Sequence, residues 1–321
     1  VEAHMSLMTL KKICILLVCI MIINIYIILR ETLAGGLEET LCLPDTHLDH
    51  CLTSTSLCEG NNHFDVVVVI DSAIKSFQNR EAIRATWGNE SHYFFKGYKV
   101  KVFFTLGNPD LLEDDVREKV LRERDEHFDI IFINIEESYK NIIHKVMYGL
   151  RFAVRHCPNT DMVVKADDDI FVDIPRLYDT FMGDPSLSSS VWCTSSTNSP
   201  NRVPKTKWYV DPRIYGKDYP HYCLGSFYTL NMTSLTILMG MAYCEPWFWI
   251  DDVFVTGDLR SKANLTLKSM SDKDAQFSSG YRIEGKEVDN ESAKDLKILY
   301  HHLISPAAMR YLWSLVMLAF H

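Results

Sequence analysis

Three consecutive carboxylates, Asp167, Asp168 and Asp169, are the side chains of this sequence best suited to chemistry. They lie between two apolar stretches, residues 162–164 and 170–172. Adjacent negative charges at the end of a strand repel one another, so a cation among them would stabilise the arrangement. Oxygen ligands of this kind suit a hard divalent ion, Mn²⁺ or Mg²⁺, that also holds substrate phosphates. A solvated acidic turn without an ion is the alternative for such a triplet taken alone.

The segments around the triplet alternate between short apolar runs and helical patterns, which predicts an α/β fold with a mostly parallel sheet. One large domain over residues 63–321 is expected. In an open sheet of this kind ligands bind at the carboxyl ends of strands, and the triplet falls near the middle of the predicted order. The predicted strands cover residues 65–70, 101–106, 128–135 and 162–165, and the predicted helices cover residues 78–87, 111–126 and 138–156.

The N-terminal part of the chain predicts a single membrane anchor at residues 13–29, which carry no charged side chain. As a helix this stretch spans about 25 Å, which suits the thinner membranes of the early secretory pathway. Two lysines precede it and acids follow it, which predicts a cytoplasmic tail at residues 1–12 and a luminal stem at residues 30–62. A cleaved signal peptide is the alternative. The apolar segment 304–320 is too short to span and predicts a helix packed on the body.

Glycosylation acceptors agree with a luminal body, since four Asn-X-Ser/Thr sequences begin at Asn89, Asn231, Asn264 and Asn290. Nine cysteines are present, two of them inside the apolar stretch. An oxidising lumen predicts that most of the others pair.

The number of luminal cysteines is odd, so one is free or bonds a second chain, which makes a homodimer possible. Cys223 and Cys244 are one candidate pair. Cys58, in the stem with two further cysteines, belongs either to a local loop staple or to an interchain bond.

Further motifs resemble those of one known family. Residues 80–88 resemble the R-x-x-I-R-x-T-W signature of the β1,3-glycosyltransferases, which are luminal galactosyl- and N-acetylglucosaminyltransferases that use UDP-sugars. The triplet with its flanks, residues 164–172, resembles the metal motif of that family. Other matching segments follow in the family's order between residues 66 and 313: residues 128–131, 137–141, 207–210, 219–225 and 251–257, and a closing block with His302, Ser305, Pro306 and Trp313.

This resemblance implies a GT-A-type, Rossmann-like fold in a single-pass type II protein of the Golgi membrane. It implies inverting, metal-dependent transfer of a hexose from a UDP-sugar to the 3-hydroxyl of a glycan acceptor on protein or lipid. Galactose is the expected sugar, with N-acetylglucosamine as the alternative. Asp169 and His302 are the implied ligands of Mn²⁺ or Mg²⁺, with His301 as a rival. Asp167 and Asp168 are expected on the nucleotide side, where Asp168 could instead brace the turn.

An inverting displacement needs a base that takes the proton of the acceptor hydroxyl. The resemblance assigns this role to Asp252. Asp251 stands where the family usually has glutamate, so it is expected to affect how the loop or the acceptor is held. The alternative is that both acids cap a helix that begins near Val253.

Three basic residues are candidates for the nucleotide. Arg80 and Arg84 lie four apart on one helical face, where they could reach the diphosphate or the uracil. Lys165 could approach a phosphate. The alternative for all three is a structural ion pair.

Aromatic residues are candidates for stacking on sugar faces, although many aromatics at such density belong to the core. Gly225 is expected to let the backbone approach a ligand closely. The aromatic candidates are Trp208, Tyr219, Tyr222, Trp247 and Trp249.

The net charge of −9 gives no electrostatic footprint for nucleic acid. A silent binding protein of the same fold would be expected to lose Asp169, Asp252 or His302, and all three are present. A phosphohydrolase that uses the triplet would not account for the segment at residues 80–88.

Overall fold

The structure is a computed structural model that describes residues 56–58, 62–270, 275–277, 300–302 and 304–319. All of these belong to one compact unit, Thr46–His321. The expected membrane anchor and Asn290 lie outside the described residues. Within the described ranges, no helix combines the length and the apolar character needed to cross a membrane.

Seven strands form the central sheet and three form a smaller one. The strands are β1 (Phe64–Asp71), β2 (Val100–Leu106), β3 (Ile130–Phe132), β4 (Thr160–Asp167), β5 (Phe171–Val172), β6 (Ser190–Ser196), β7 (Tyr222–Asn231), β8 (Thr266–Ser269), β9 (Ala275–Phe277) and β10 (Tyr300–His302). The central order is β3-β2-β1-β4-β7-β6-β8, and the smaller order is β5-β10-β9. Strand β7 runs antiparallel to β4 and to β6, and the other pairs of the central sheet are parallel.

Helices cover both faces of this sheet, and in agreement with this the β1 residues 66–70 are all apolar and buried. The helices are α1 (Phe77–Ala85), α2 (Glu90–Phe94), α3 (Asp114–His127), α4 (Ile142–His156), α5 (Ile174–Gly183), α6 (Met232–Met241), α7 (Arg260–Lys262) and α8 (Pro306–Ala319), with a π-helix at Val253–Leu259 directly before α7. One core cluster contains Trp87 and Trp313, and the other contains Leu150 and Leu235.

The structure confirms the α/β fold, the mostly parallel sheet and the order of the predicted elements. The C-terminal apolar segment is a helix on the body, as predicted, and its Trp313 ring stacks on His92 at 5.3 Å. The predicted strand 128–135 is shorter, because Phe128 adopts a left-handed φ of 55° where α3 ends. The predicted helix 138–156 begins with a 3₁₀ turn at Tyr139–Asn141.

Two disulfides connect distant parts of the fold. Cys58 bonds Cys157, and Cys193 bonds Cys223. The expected pair of Cys223 with Cys244 is therefore wrong, because β6 carries Cys193 beside Cys223, and Cys244 forms a different disulfide. Cys58 forms neither a local staple nor an interchain bond, since its partner lies at the end of α4, 99 residues away in sequence.

Candidate active site

The acidic triplet lies at the end of β4, where the chain turns towards β5. Strand β10 pairs with β5 and thereby brings His302 to this turn. The ligand atoms of Asp167, Asp169 and His302 all lie within 4.8 Å of one another, and His302 Nε2 is 3.8 Å from Asp169 Oδ1. These three residues are called the acidic–histidine cluster below.

A divalent ion fits the acidic–histidine cluster. Asp169 Oδ1 is buried and has no hydrogen-bond partner in the described part of the chain. Burial, and then the neighbouring carboxylates of Asp167 and Asp168, raise the pKa of Asp169 to about 6. Carboxylate oxygens with one imidazole nitrogen are a donor set suited to Mn²⁺, and a cation there would remove the repulsion between the acids.

Asp168 braces the turn. Its two carboxylate oxygens accept hydrogen bonds from Ser72 Oγ at 2.6 Å and from Asn79 Nδ2 at 3.0 Å. Both bonds run to the segment that follows β1, so Asp168 joins the ends of the two central parallel strands. The geometry favours the bracing role over a direct contact with a nucleotide.

A cavity of about 610 Å³ lies beside the acidic–histidine cluster and is called the central cavity. Its walls are formed by residues 73–76 after β1, residues 137–139 before α4, and residues 167–169 after β4. The carboxyl ends of parallel strands thus open onto it, where ligands bind in sheets of this kind.

Arg80 holds the wall of the central cavity from behind. Its fully buried guanidinium donates to the carbonyl oxygens of Ala73 at 2.6 Å and Ile74 at 2.9 Å, and to Ser72 Oγ at 3.0 Å. Its remaining N–H groups bond both carboxylate oxygens of Glu123, at 2.8 and 2.6 Å.

Arg84 lies one helical turn further along α1 and bonds Glu123 at 2.6 Å and Asp129 at 2.7 Å. Neither Arg84 nor Arg80 lines the central cavity. The expected contact of these two arginines with the nucleotide is therefore not supported. The structural ion pair, which the sequence left open, is the arrangement observed.

Lys145 and Tyr139 were missed by the sequence analysis and both line the central cavity. Lys145 Nζ lies 3.1 Å from Asp71 and 3.2 Å from Glu137. Lys145 could have been found from the sequence, because it is a charged residue on the buried face of the apolar helix α4. Tyr139 lies within a segment that matched the family but carried no assigned role.

Asp251 and Asp252 precede the π-helix and face the same edge of the sheet as the triplet. Burial is the main cause that raises the pKa of each carboxyl group above the usual range of aspartate. Asp252 Oδ1 accepts the Val253 N–H at 2.8 Å, so the expected capping contact is present. The second oxygen of Asp252 does not take part in that bond, so capping does not exclude a role as a base.

Gly225 lies against Asp252. A Cβ atom at position 225 would be 3.1 Å from the Asp252 Cβ and 3.3 Å from its Oδ2, which is tighter than ordinary contact. Gly225 therefore approaches a carboxylate of the protein closely, and the expected approach to a ligand stays a prediction.

Lys165 is buried between the acidic triplet and the pair Asp251 and Asp252. Its ammonium group forms an ion pair with Asp167 Oδ1 and donates to the Gly225 carbonyl at 2.7 Å. Nearby carboxylates, Asp167 first, outweigh burial and raise the pKa of Lys165. The Lys165 ammonium thus contacts protein groups, which agrees with the alternative of a structural ion pair.

The aromatic candidates separate into two sets. Trp208, 49% exposed, and Trp249 lie next to Tyr139, whose pKa is raised to about 12 by burial and then by Asp251 and Asp252. The Tyr139 and Trp249 ring centroids are 6.0 Å apart, and the Lys207 ammonium lies 4.4 Å from the Trp208 ring. These rings form an accessible surface beside the paired acids.

The other candidates belong mainly to the core. Tyr222 is 6% exposed and packs edge-on against Tyr219 at 5.8 Å. Trp247 packs on Tyr148 of α4 and donates its N–H to the Ala242 carbonyl at 3.2 Å.

The described glycosylation acceptors differ in access. Asn264 is exposed, with a left-handed φ of 54°. Asn89 and Asn231 are partly buried helix caps, and the Asn231 side-chain amide donates to the Ser188 carbonyl at 2.6 Å.

Comparisons with known proteins agree with this geometry. The sequence profile of the Galactosyltransferase family matches residues 78–271. Beta-1,3-galactosyltransferase 5 of Pan paniscus is 27% identical over 251 residues, which are 78% of this chain and 79% of that protein. Beta-1,3-galactosyltransferase 1 of Mus musculus is 25% identical over 289 residues, which are 89% of this chain and 83% of that protein.

A solved glycosyltransferase involved in the glycosylation of the major capsid of PBCV-1 has a TM-score of 0.38 and 10% identity. The similar region covers 78% of this chain and 100% of that chain.

An α/β sheet with the acidic–histidine cluster at its strand ends, beside a cavity, has the arrangement in which open α/β sheets bind ligands. The matched segment identifies the class of protein. The chain belongs to the galactosyltransferase family, and it is a hexosyltransferase related to the β1,3-galactosyltransferases.

Proposed function

We propose that this protein is an inverting, metal-dependent β1,3-galactosyltransferase with a GT-A-type fold. It transfers galactose from UDP-galactose to the 3-hydroxyl of a glycan acceptor on protein or lipid. The observation that carries the proposal is the acidic–histidine cluster at the rim of the central cavity, with Asp252 on the same edge of the sheet. The names of the two relatives favour galactose over N-acetylglucosamine.

In this proposal the central cavity holds the nucleotide part of the donor, with the diphosphate directed towards the triplet. Asp167, Asp169 and His302 would hold Mn²⁺ or Mg²⁺. When bound, the ion supplies positive charge that stabilises the UDP leaving group as the glycosidic bond breaks.

Asp252 accepts the proton of the acceptor hydroxyl as the hydroxyl oxygen bonds to the anomeric carbon of galactose. Its raised pKa makes it a stronger base than an ordinary aspartate, provided that the pH is high enough to keep it ionised. Trp208 and Trp249 would offer their faces to the acceptor sugar, beside the base.

The cellular setting that we propose follows from the sequence alone. Residues 13–29 anchor the chain in the Golgi membrane, and the catalytic body faces the lumen, where acceptors and UDP-sugars meet. A second chain bonded through the stem would give a homodimer.

The test is turnover of a panel of UDP-sugars by the full chain in detergent, with Mn²⁺ or with EDTA, and with β-galactoside, GlcNAc and GalNAc acceptors. Release of galactose that EDTA, Asp169→Ala and Asp252→Asn each abolish is the expected result. Asp115→Asn, on the exposed face of α3, is the matched control and should retain activity. Turnover of UDP-GlcNAc alone would instead identify an N-acetylglucosaminyltransferase, and activity without metal would refute the metal assignment.

A further inference from the structure

We infer that Lys165 is a positioning residue that fixes the distance between the ion-binding side of the site and its base. The inference rests on the proposed function, because it takes Asp167 as a metal ligand and Asp252 as the base. It assigns Lys165 no contact with the donor, the acceptor or the ion.

The first half of the link joins Lys165 to the acidic–histidine cluster. The Lys165 side chain is 2% exposed, and its ammonium group pairs with one oxygen of Asp167, in the same strand β4. A buried ammonium bonded to one oxygen restricts the rotation of the carboxylate and leaves its other oxygen to face the cluster.

The second half joins Lys165 to the base through Gly225. The same ammonium donates to the Gly225 carbonyl in the neighbouring strand β7. Gly225 in turn packs against the Asp252 carboxylate, since a Cβ atom at position 225 would be 3.1 Å from the Asp252 Cβ and 3.3 Å from its Oδ2. A continuous path of close contacts therefore runs from Asp167 through Lys165 and Gly225 to Asp252.

Other groups near Lys165 do not replace this path. Lys145 is another buried lysine on this edge, but its contacts run to Asp71, Glu137 and the Ser72 carbonyl and not to Gly225. The antiparallel pairing of β4 with β7 places Lys165 opposite Tyr228 and stops at Phe227, while Tyr222 and Cys223 pair with β6. The Lys165 ammonium therefore links β4 to Gly225 beyond the end of their shared ladder.

Lys165→Met removes the ammonium group and keeps a side chain of similar length. We expect kcat to fall about 100-fold, because a misplacement of about 1 Å between reacting groups costs that much. KM for the donor should change little, since Lys165 does not contact it. Lys165→Arg, which keeps a charged donor, should recover part of kcat. Lys101→Met removes a lysine from the neighbouring part of the sheet, paired with Glu90, and is the matched control with unchanged kcat.

Gly225→Ala tests the second half without removing a charge, so it remains informative if Lys165→Met does not fold. The added Cβ should displace Asp252 and lower kcat, and the double variant should lose less than the sum of the two losses in activation free energy. Fully additive losses, or a kcat of Lys165→Met equal to that of the wild type, would overturn the inference.

A crystal structure of either variant gives a readout that needs no turnover. The separation of the Asp167 and Asp252 carboxylates should differ from that of the wild type by about 1 Å. An unchanged separation refutes the positioning role even if the wild type transfers a different sugar. Absence of any transfer by the wild type would instead refute the proposed function and leave the separation as the deciding measurement.

Discussion

Replacing Arg80 by lysine should affect both the stability of the fold and the shape of the central cavity. A comparison with Arg84→Lys separates the two effects. All five N–H groups of the Arg80 guanidinium have acceptors: two oxygens of Glu123, the carbonyls of Ala73 and Ile74, and Ser72 Oγ. Lysine has three donors in a different geometry, so at least two of these five hydrogen bonds would be lost.

A buried hydrogen bond contributes about 0.5–1.5 kcal/mol, so the loss of two should lower the free energy of unfolding of Arg80→Lys by about 1–3 kcal/mol. Urea unfolding of the purified chain measures this loss. Because Arg80 also bonds the wall at Ala73 and Ile74, the dissociation constant for UDP in the presence of Mn²⁺ should rise as well.

Arg84→Lys is the control that distinguishes the two effects. Arg84 shares Glu123 with Arg80, but its hydrogen bonds in the described part of the chain run to Glu123 and Asp129 and not to the cavity wall. Its replacement should therefore reduce stability and leave UDP binding unchanged. Equal weakening of UDP binding by both variants would refute the reasoning that Arg80 acts through the wall. An Arg80→Lys variant as stable as the wild type would refute the energetic argument.

Three further predictions concern the base, a disulfide and the glycans. Because burial raises the pKa of Asp252 and the base must be ionised, kcat/KM should already decrease at pH values above about 4, where an ordinary aspartate is still ionised. A rate that stays constant down to about pH 4 would contradict the assignment of Asp252 as the base. Replacing Cys58 and Cys157 by serine should lower the free energy of unfolding by about 2–5 kcal/mol in urea titrations, since the bond closes a long loop, and an unchanged midpoint would exclude this. Mass spectrometry of glycopeptides should show higher occupancy at exposed Asn264 than at Asn231, whose amide is hydrogen-bonded, and the reverse order would show that the bond is lost before glycosylation.

The sequence predicted the parallel half of the sheet well because its strands are buried on both faces. The Val-rich strand β1 was predicted within one residue of each end, and the triplet lies at the centre of the sheet as expected. The antiparallel strand β7 was not predicted, since its pairing with β4 and β6 depends on contacts between segments far apart in sequence.

The residue types at the site were also predictable, but their partners were not. Asp169 and His302, the two implied metal ligands, lie close together, and Asp167, which was expected on the nucleotide side, lies with them. The two arginines of α1 carry charges that fit a phosphate equally well, and only the position of Glu123 on α3 shows that they are used within the protein. The disulfide of Cys223 likewise depends on a neighbouring strand that the sequence did not reveal.

The small sheet of β5, β10 and β9 has a consequence for biosynthesis. The central sheet is built from residues that precede His302, whereas the third member of the acidic–histidine cluster arrives only with β10. A ribosome that stops before this strand would release a chain with the scaffold and two carboxylates but without the histidine. Synthesis of the chain up to β10 is therefore required before the acidic–histidine cluster can form.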